Sequence, residues 1–121
     1  MPRTLTLQSS DYNGLVCVAE PKARRTIAAK YKLPSGAIPV LISAASMAVL
    51  RKSQRVSEIY GQQVASQDLI RSYIAALCKA DLLQRYTLGR LRRVRLTLAG
   101  MGVVFDYHRE LRAGVKALLA A

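Results

Sequence analysis

The chain has 121 residues, of which 51% are hydrophobic, and this length and composition suit one domain with one core. It carries 19 Lys and Arg against 7 Asp and Glu, a formal net charge of +12. Such a surface attracts polyanions, of which nucleic acid is the commonest; an anionic membrane surface and an acidic protein are the alternatives. The length excludes two independent domains of ordinary size.

Residues of the types that bind metals or catalyse reactions are few in this sequence, and they are not grouped. Cys17 and Cys78 stand far apart, outside any CxxC or Cys/His grouping, so we expect neither a zinc site nor a disulfide framework, and a reducing cytoplasm fits best. The sequence has one His, and it shows no paired-carboxylate spacing, no phosphate-binding glycine loop and no nucleophile elbow. We therefore expect no catalytic residue, no metal, no cofactor and no enzyme activity.

Membrane insertion and secretion are also not indicated. At the N-terminus, no basic segment precedes an apolar run with a cleavage site, which argues against a secretion signal. The longest apolar stretch, residues 37–50, is shorter than the about 20 residues that cross a bilayer. It is predicted to form a buried helix, and no membrane partner is expected.

The first half of the chain is predicted to be an arm followed by two helices. Residues 1–14 mix polar and apolar types with turn-forming residues, which favours an arm or loop. From about Leu15 to Tyr31, apolar residues recur at every fourth position and predict a helix. After a loop signal at residues 33–36, a strongly apolar helix is predicted from Ile38 to about Leu50.

Two capped helices are predicted next. Ser57 can cap a brief helix that closes its apolar side at Val64, and Ser66 can cap a longer helix that runs to Lys79. The longer helix has one apolar face, which leaves its other face polar and available for contact. The apolar face is formed by Ile70, Tyr73, Ile74 and Leu77.

A β-hairpin and a last helix complete the predicted fold. A strand from Leu82 to Leu88 reaches a turn at Gly89-Arg90, and the second strand, Arg93 to Leu96, alternates basic and apolar residues. Alternation of this kind turns Val94 and Leu96 toward the core and the arginines toward solvent or a partner. Thr97 then caps a helix to about Ala120. The fold class is mainly α with a small β-hairpin, an α+β fold.

This order of elements resembles the winged helix-turn-helix, and within it the compact bacterial and phage regulators of the MarR and PadR type. The resemblance covers roughly residues 36–118, and Asp81 stands where such regulators usually have glycine. The predicted domain organisation is an N-terminal arm at 1–14 and one winged-helix domain at 15–121, with its core at 36–98 and a C-terminal helix at 98–120. The matching segments are Val56-Ser57-Glu58-Ile59, the Ser66 to Lys79 helix with Asp81-Leu82-Leu83-Gln84-Arg85, and Arg95-Leu96-Thr97-Leu98-Ala99-Gly100.

The resemblance implies that the helix at 66–79 is a recognition helix for the DNA major groove, which admits one helix. Glutamine pairs naturally with adenine, arginine with guanine and aspartate with cytosine. For Asp68, stabilisation by the positive end of the helix dipole is an equally good explanation. The predicted contacts of this helix are Gln67, Asp68, Arg71, Ser72 and Lys79.

The wing, residues 85–95, contains the densest basic cluster of the chain. It contains five arginines and no acidic residue. We therefore expect these arginines to contact the phosphate backbone or the minor groove of DNA. The alternative is a charged strand that is only solvated. Three further cations beside the brief helix are predicted phosphate contacts. The wing set is Arg85, Arg90, Arg92, Arg93 and Arg95, and the further set is Arg51, Lys52 and Arg55.

The expected function is a transcriptional regulator that binds double-stranded DNA. The helices that flank the winged domain have more apolar residues than the core of one small domain needs, so we expect them to pair in a homodimer. The alternative is that both helices complete the core of a monomer. The resemblance also implies a small-molecule effector, for which Tyr107, His108 and Leu111 are candidates. Two alternatives stay open: an accessory DNA-binding protein of a phage or plasmid, acting in replication, partition or transfer, and a winged-helix module that binds protein or RNA.

Overall fold

The computed structural model describes residues 9–49, 54–55 and 66–120, and most of them are helical. The mainly α fold with a small β-hairpin is confirmed, whereas the brief helix expected after Ser57 lies outside the described residues. The elements follow in the order α1 (Ser9–Lys30), α2 (Ala37–Val49), β1 (Gln54–Arg55), α3 (Gln67–Lys79), β2 (Leu83–Leu88), β3 (Leu91–Leu96) and α4 (Leu98–Ala120).

The first helix is longer than its sequence pattern predicts. Helix α1 begins at Ser9, so the expected arm or loop is wrong for residues 9–14. The helix lies antiparallel along α4 and buries Ala19, Ala23 and Ile27 at four-residue spacing. Packing along a partner helix stabilises turns whose own residues are weak helix formers, because most helical stability in proteins comes from tertiary contacts.

Helices α1 and α3 end in the same backbone arrangement without a glycine. Lys32 and Asp81 lie one position beyond the helix caps and adopt left-handed φ angles of 55° and 60°. In this Schellman arrangement, the next residue donates its N–H back into the last turn and satisfies an otherwise unpaired carbonyl. Leu33 N–H donates to the Ala28 carbonyl at 2.8 Å, and Leu82 N–H donates to the Leu77 carbonyl at 2.9 Å.

The sheet has one strand more than the sequence predicts. Strands β2 and β3 form the predicted hairpin, and β1 adds to the other side of β3, so that the antiparallel order is β1-β3-β2. Two residues are too few to show an alternating pattern, which explains why β1 was not predicted. The hairpin closes at Gly89, whose positive φ of 63° suits a glycine.

Thr97 fixes the start of α4 to the end of α3. Its hydroxyl donates to the Asp81 carbonyl at 2.6 Å and accepts from Gly100 N–H at 3.0 Å, which confirms the predicted cap. Its own N–H donates to the Leu82 carbonyl at 3.2 Å. Gly100 permits this approach, since a Cβ there would lie 2.2 Å from the Leu82 oxygen.

A polar cluster around Asp106 joins the end of α1 to α4. The Asp106 carboxylate accepts from Lys30 Nζ at 2.8 Å and from the Tyr31 hydroxyl, and Arg109 lies 3.6 Å away. The hydrogen bonds from Lys30 and then Tyr31 lower the pKa of Asp106, and the carboxylate raises the pKa of Lys30. The cluster therefore keeps its charges through the neutral pH range.

One hydrophobic core holds all the helices to the sheet. Its most deeply buried members come from four helices and from the middle of β3. Among the described helices, none is both long and apolar enough to cross a membrane. The largest fully buried side chains are Ile27, Ile38, Val40, Leu41, Ile70, Ile74, Leu77, Val94 and Val103.

Candidate nucleic-acid interface

Helix α3 is capped and amphipathic, as the sequence predicts. The Ser66 side chain accepts from Leu69 N–H at 3.3 Å, and Asp68 lies in the first turn, where the helix dipole favours a negative charge. Ile70 and Ile74 are buried, which turns the opposite face to solvent. All five predicted contacts of this helix are exposed: Gln67, Asp68, Arg71, Ser72 and Lys79.

The five residues do not lie at one place on the helix. Gln67 and Lys79 stand at opposite ends of α3, about 18 Å apart along the axis at 1.5 Å per residue. Gln67, Arg71 and Ser72 occupy the first turns, so these side chains can approach the same few base pairs. Lys79 in the last turn is placed for a phosphate instead.

A glycine that the sequence suggested only as a loop residue helps to orient α3. A Cβ on Gly36 would lie 2.4 Å from the Tyr73 ring, so the ring of α3 sits directly against the chain entering α2. Any larger residue at position 36 would require the Tyr73 ring to move. The contact between Gly36 and Tyr73 joins residues 37 positions apart, so the sequence pattern could not predict it.

The wing arginines divide between the two faces of the hairpin. Directly paired residues of antiparallel strands lie on the same face, and the register pairs Arg85 with Val94 and Thr87 with Arg92. Val94 is fully buried, as predicted, so Arg85 and Arg92 belong to the face that turns toward α3. Arg93 and Arg95 belong to the outer face, the arrangement that the alternating sequence predicts.

An open cleft of about 420 Å³ lies between α3 and the wing. Among the described residues, four arginines and no acidic residue line it, so its lining favours an anion. Arg71 and Ile74 come from α3, and the rest of the lining comes from both wing strands: Arg85, Tyr86, Thr87, Arg92 and Arg93. Two predicted sites, the recognition helix and the wing, are thereby brought together.

Protein groups hold the side chain of Arg95. Its Nε donates to Gln84 Oε1 at 2.7 Å, and its guanidinium lies 5.3 Å from the centre of the Tyr86 ring. A cation over an aromatic face is attracted to it. These partners fix Arg95 across the outer face of the wing, which favours a structural role over the predicted DNA contact.

The remaining predicted contacts belong to the wing tip and to the segment before the helix-turn-helix. Arg90 is exposed in the hairpin turn at the tip of the wing. Arg55 was expected beside a brief helix, but the structure places it in β1, where it pairs with Arg93 of β3. Arg51 and Lys52 lie outside the described residues.

The three candidate effector residues differ in their exposure. Tyr107 is buried, with its hydroxyl 3.4 Å from Glu20 Oε1, and burial, followed by the Glu20 charge, raises the pKa of Tyr107 to about 12. Leu111 packs against the core, and His108 is exposed with its ring edge-on to Tyr107. Among the described residues, no group of three or more His, Cys, Asp or Glu is placed to hold a metal ion.

Comparison with known proteins rests on the fold, because no family model matches the chain and no curated protein matches its sequence. Wild-type MarR from E. coli superposes with a TM-score of 0.70 at 13% identity, over 96% of this chain and 85% of that chain. The fold is the MarR winged helix.

Two other winged-helix structures of this kind were solved with ligands. A mutant of MepR from S. aureus, bound to an oligodeoxyribonucleotide, gives a TM-score of 0.70 at 12% identity, over 95% of this chain and 84% of that chain. NadR in complex with 4-hydroxyphenylacetate gives 0.66 at 17% identity, over 98% of this chain and 84% of that chain. At such identities the likeness shows the winged-helix fold.

Proposed function

We propose that this protein is a transcriptional regulator that binds specific sequences of double-stranded DNA. The observation that carries the proposal is the cleft between α3 and the wing, where Arg71 of the helix and Arg85 and Arg92 of the hairpin border one concave surface with no acidic side chain among the described residues. A helix inserted in the major groove would bring the flanking phosphates to such a surface. The DNA-bound MepR structure shows that a protein of this fold binds DNA.

The first turns of α3 read the base edges in this proposal. Gln67 is suited to adenine and Arg71 to guanine, whereas Ser72 accepts several bases. Asp68 has two roles open to it, a hydrogen bond from cytosine and stabilisation of the first helical turn. Lys79 binds a phosphate from the far end of the helix.

The wing supplies affinity more than sequence selection. Arg85, Arg92 and Arg93 contact phosphates beside the groove that α3 occupies, and Arg90 at the tip reaches the adjacent minor groove. We keep the same phosphate-binding role for three cations that precede the helix-turn-helix. They are Arg51, Lys52 and Arg55.

A homodimer through α1 and α4 belongs to the proposal. A groove of about 440 Å³ runs between these helices, with Val18 and Leu118 exposed beside it and Lys22 and Glu110 on its borders. A two-fold axis would place each Lys22 against Glu110 of the second copy, so the surface is complementary to itself. The floor is made of small residues that admit a neighbouring side chain: Ala19, Ala23, Ala113, Gly114 and Ala117.

Two further features complete the proposed regulator. A small-molecule effector would alter DNA binding, an idea supported by the NadR complex with 4-hydroxyphenylacetate. The site of action would be the cytoplasm, where Cys17 and Cys78, the first exposed and the second half-buried, stay reduced.

The decisive experiment selects bound fragments from a random duplex library at about 0.15 M salt, because salt sets the nonspecific background. Wild-type protein is compared with Arg71→Ala in α3 and with Arg25→Ala, an exposed cation of α1. Wild type and Arg25→Ala should enrich one inverted repeat with half-sites about 34 Å apart. Arg71→Ala should relax selection at one base position of each half-site, a loss of roughly 1–3 kcal/mol in discrimination.

Binding without enrichment would contradict the proposal and indicate an accessory or architectural DNA protein. Absence of duplex binding would indicate a module for protein or RNA. If Arg71→Ala selected the same repeat as wild type with unchanged preference, α3 would not be the element that reads the bases.

A further inference from the structure

A second groove on the helical pair adjoins the proposed dimer groove at Ala113. It has a volume of about 560 Å³ and combines an apolar floor with one basic edge. Tyr12 and Leu119 are about half exposed, at 49% and 50%, whereas Val115 is buried and closes the floor. The edge consists of three cations of α4, Arg109, Arg112 and Lys116; we call the whole feature the basic groove.

The positive charge of this edge is only partly neutralised. Residues 109, 112 and 116 are spaced three and four apart, which places them on one face of the helix. Arg109 lies 3.6 Å from Asp106, whose carboxylate is shared with Lys30 and Tyr31. Arg112 and Lys116 form no ion pair with any side chain that the structure describes, and like charges four residues apart repel each other.

The positive charge of the basic groove, together with its apolar floor, indicates which kind of partner it fits. Among the described residues, no acidic side chain lines this groove, so the groove is not complementary to a second copy of itself, whereas Glu110 of α4 borders the dimer groove. A DNA phosphate would suit the arginines but would leave the apolar floor unused. An acidic and amphipathic partner satisfies both halves of the groove.

We propose that the basic groove docks an acidic amphipathic helix of a partner protein. The groove extends from Arg109 to Leu119, about 15 Å along α4, which about 11 helical residues can match. Acidic side chains spaced three and four apart would face Arg109, Arg112 and Lys116. Apolar side chains on the adjoining stripe would cover Tyr12, Val115 and Leu119, as in other helix-in-groove complexes.

The test uses a fluorescein-labelled amphipathic peptide of about 18 residues, long enough to form helix on binding. Glu residues occupy one stripe of the peptide and Leu residues the next, and a scrambled peptide has the same composition. Fluorescence anisotropy is measured at about 0.15 M salt, where the long-range field of the protein is screened. The variants are Arg112→Glu in the groove and Arg25→Glu, an exposed cation of α1 outside the groove.

We expect the Arg112→Glu variant to bind the peptide about tenfold more weakly than wild type, because a close opposite charge is replaced by a like one. Arg25→Glu changes the net charge by the same amount and should stay within about twofold of wild type, since distant surface charges are screened. The scrambled peptide should bind at least about tenfold more weakly, because its acidic and apolar stripes are lost. Circular dichroism confirms that both variants are folded.

Equal weakening by the two variants would overturn the proposal, because the net charge alone would then explain binding. Equal binding of the scrambled peptide, or no binding of either peptide, would overturn it as well. Displacement of the peptide by random duplex DNA would assign the basic groove to nucleic acid. None of these outcomes depends on whether α3 recognises a specific DNA sequence.

Discussion

Two residues other than glycine adopt left-handed conformations just after the ends of helices, at a position that is usually glycine. Asp81 and Lys32 occupy the position after the caps of α3 and α1, and the hydrogen bonds that close each end come from backbone groups. The resemblance to known regulators marked Asp81 as standing in place of glycine, and its φ of 60° gives the reason. Lys32 had no such signal, because sequence reasoning detects this helix ending chiefly by its glycine.

Asp81→Gly should raise the free energy of unfolding by about 0.5–1 kcal/mol. A left-handed conformation costs an L-residue roughly 1–2 kcal/mol, and the greater freedom of glycine in the unfolded chain offsets part of that gain. Ala80→Gly is the matched control, because Ala80 has a φ of −84° and should gain nothing. Urea unfolding followed by circular dichroism measures both, and a less stable Asp81→Gly protein would mean that the carboxylate makes a favourable interaction.

At the scale of elements, the hairpin shows what a pattern of alternating residues can and cannot predict. The alternation from Arg93 to Leu96 predicted correctly which side chains face the core. It could not predict that Gln84 and Tyr86 on the other strand hold Arg95, because that contact depends on the register of the two strands. The five wing arginines look equivalent in the sequence, and their surroundings in the fold distinguish them.

Arg92→Ala and Arg95→Ala should therefore affect DNA binding differently. Loss of one phosphate contact lowers the slope of log K against log salt by about 1, so Arg92→Ala should show this change. Arg95→Ala should keep the wild-type slope and lower the unfolding midpoint instead, because its partners belong to the protein. Anisotropy titrations of a labelled duplex over a series of KCl concentrations give the slopes. Equal slopes for the two variants would refute the structural role assigned to Arg95.

At the scale of the whole molecule, the order of elements predicted the fold, but the grooves along α1 and α4 could not be predicted. Their position depends on α1 packing antiparallel along α4 from residue 9 onward, a segment whose composition favours a loop. Val18 and Leu118 gave no sign that they flank one surface, since they lie 100 positions apart in the chain. Only the packed pair of helices brings Lys22 and Glu110 to the borders of one groove.

The dimer proposal predicts a charge-swap result. Lys22→Glu and Glu110→Lys should each weaken the dimer roughly tenfold, because each change acts twice across a two-fold axis and sets like charges together. The double variant should restore wild-type affinity within about threefold, since the pair is re-formed with its charges exchanged. Sedimentation velocity over a concentration series measures this. A wild-type protein that stays monomeric throughout, or a double variant no better than the single ones, would contradict the proposal.

The joint at Thr97 has a mechanical consequence for such a dimer. Because the Thr97 hydroxyl and N–H bind the Asp81 and Leu82 carbonyls, and Gly100 rests against the same backbone, we expect α4 and α3 to move together. Helix α4 is about 33 Å long at 1.5 Å per residue, so a tilt of about 10° at its far end swings the other end by about 6 Å. That displacement is about equal to the pitch of an α-helix, roughly 5.4 Å. A small change in the angle between two copies at their interface would therefore cause a large change in the distance between their two α3 helices.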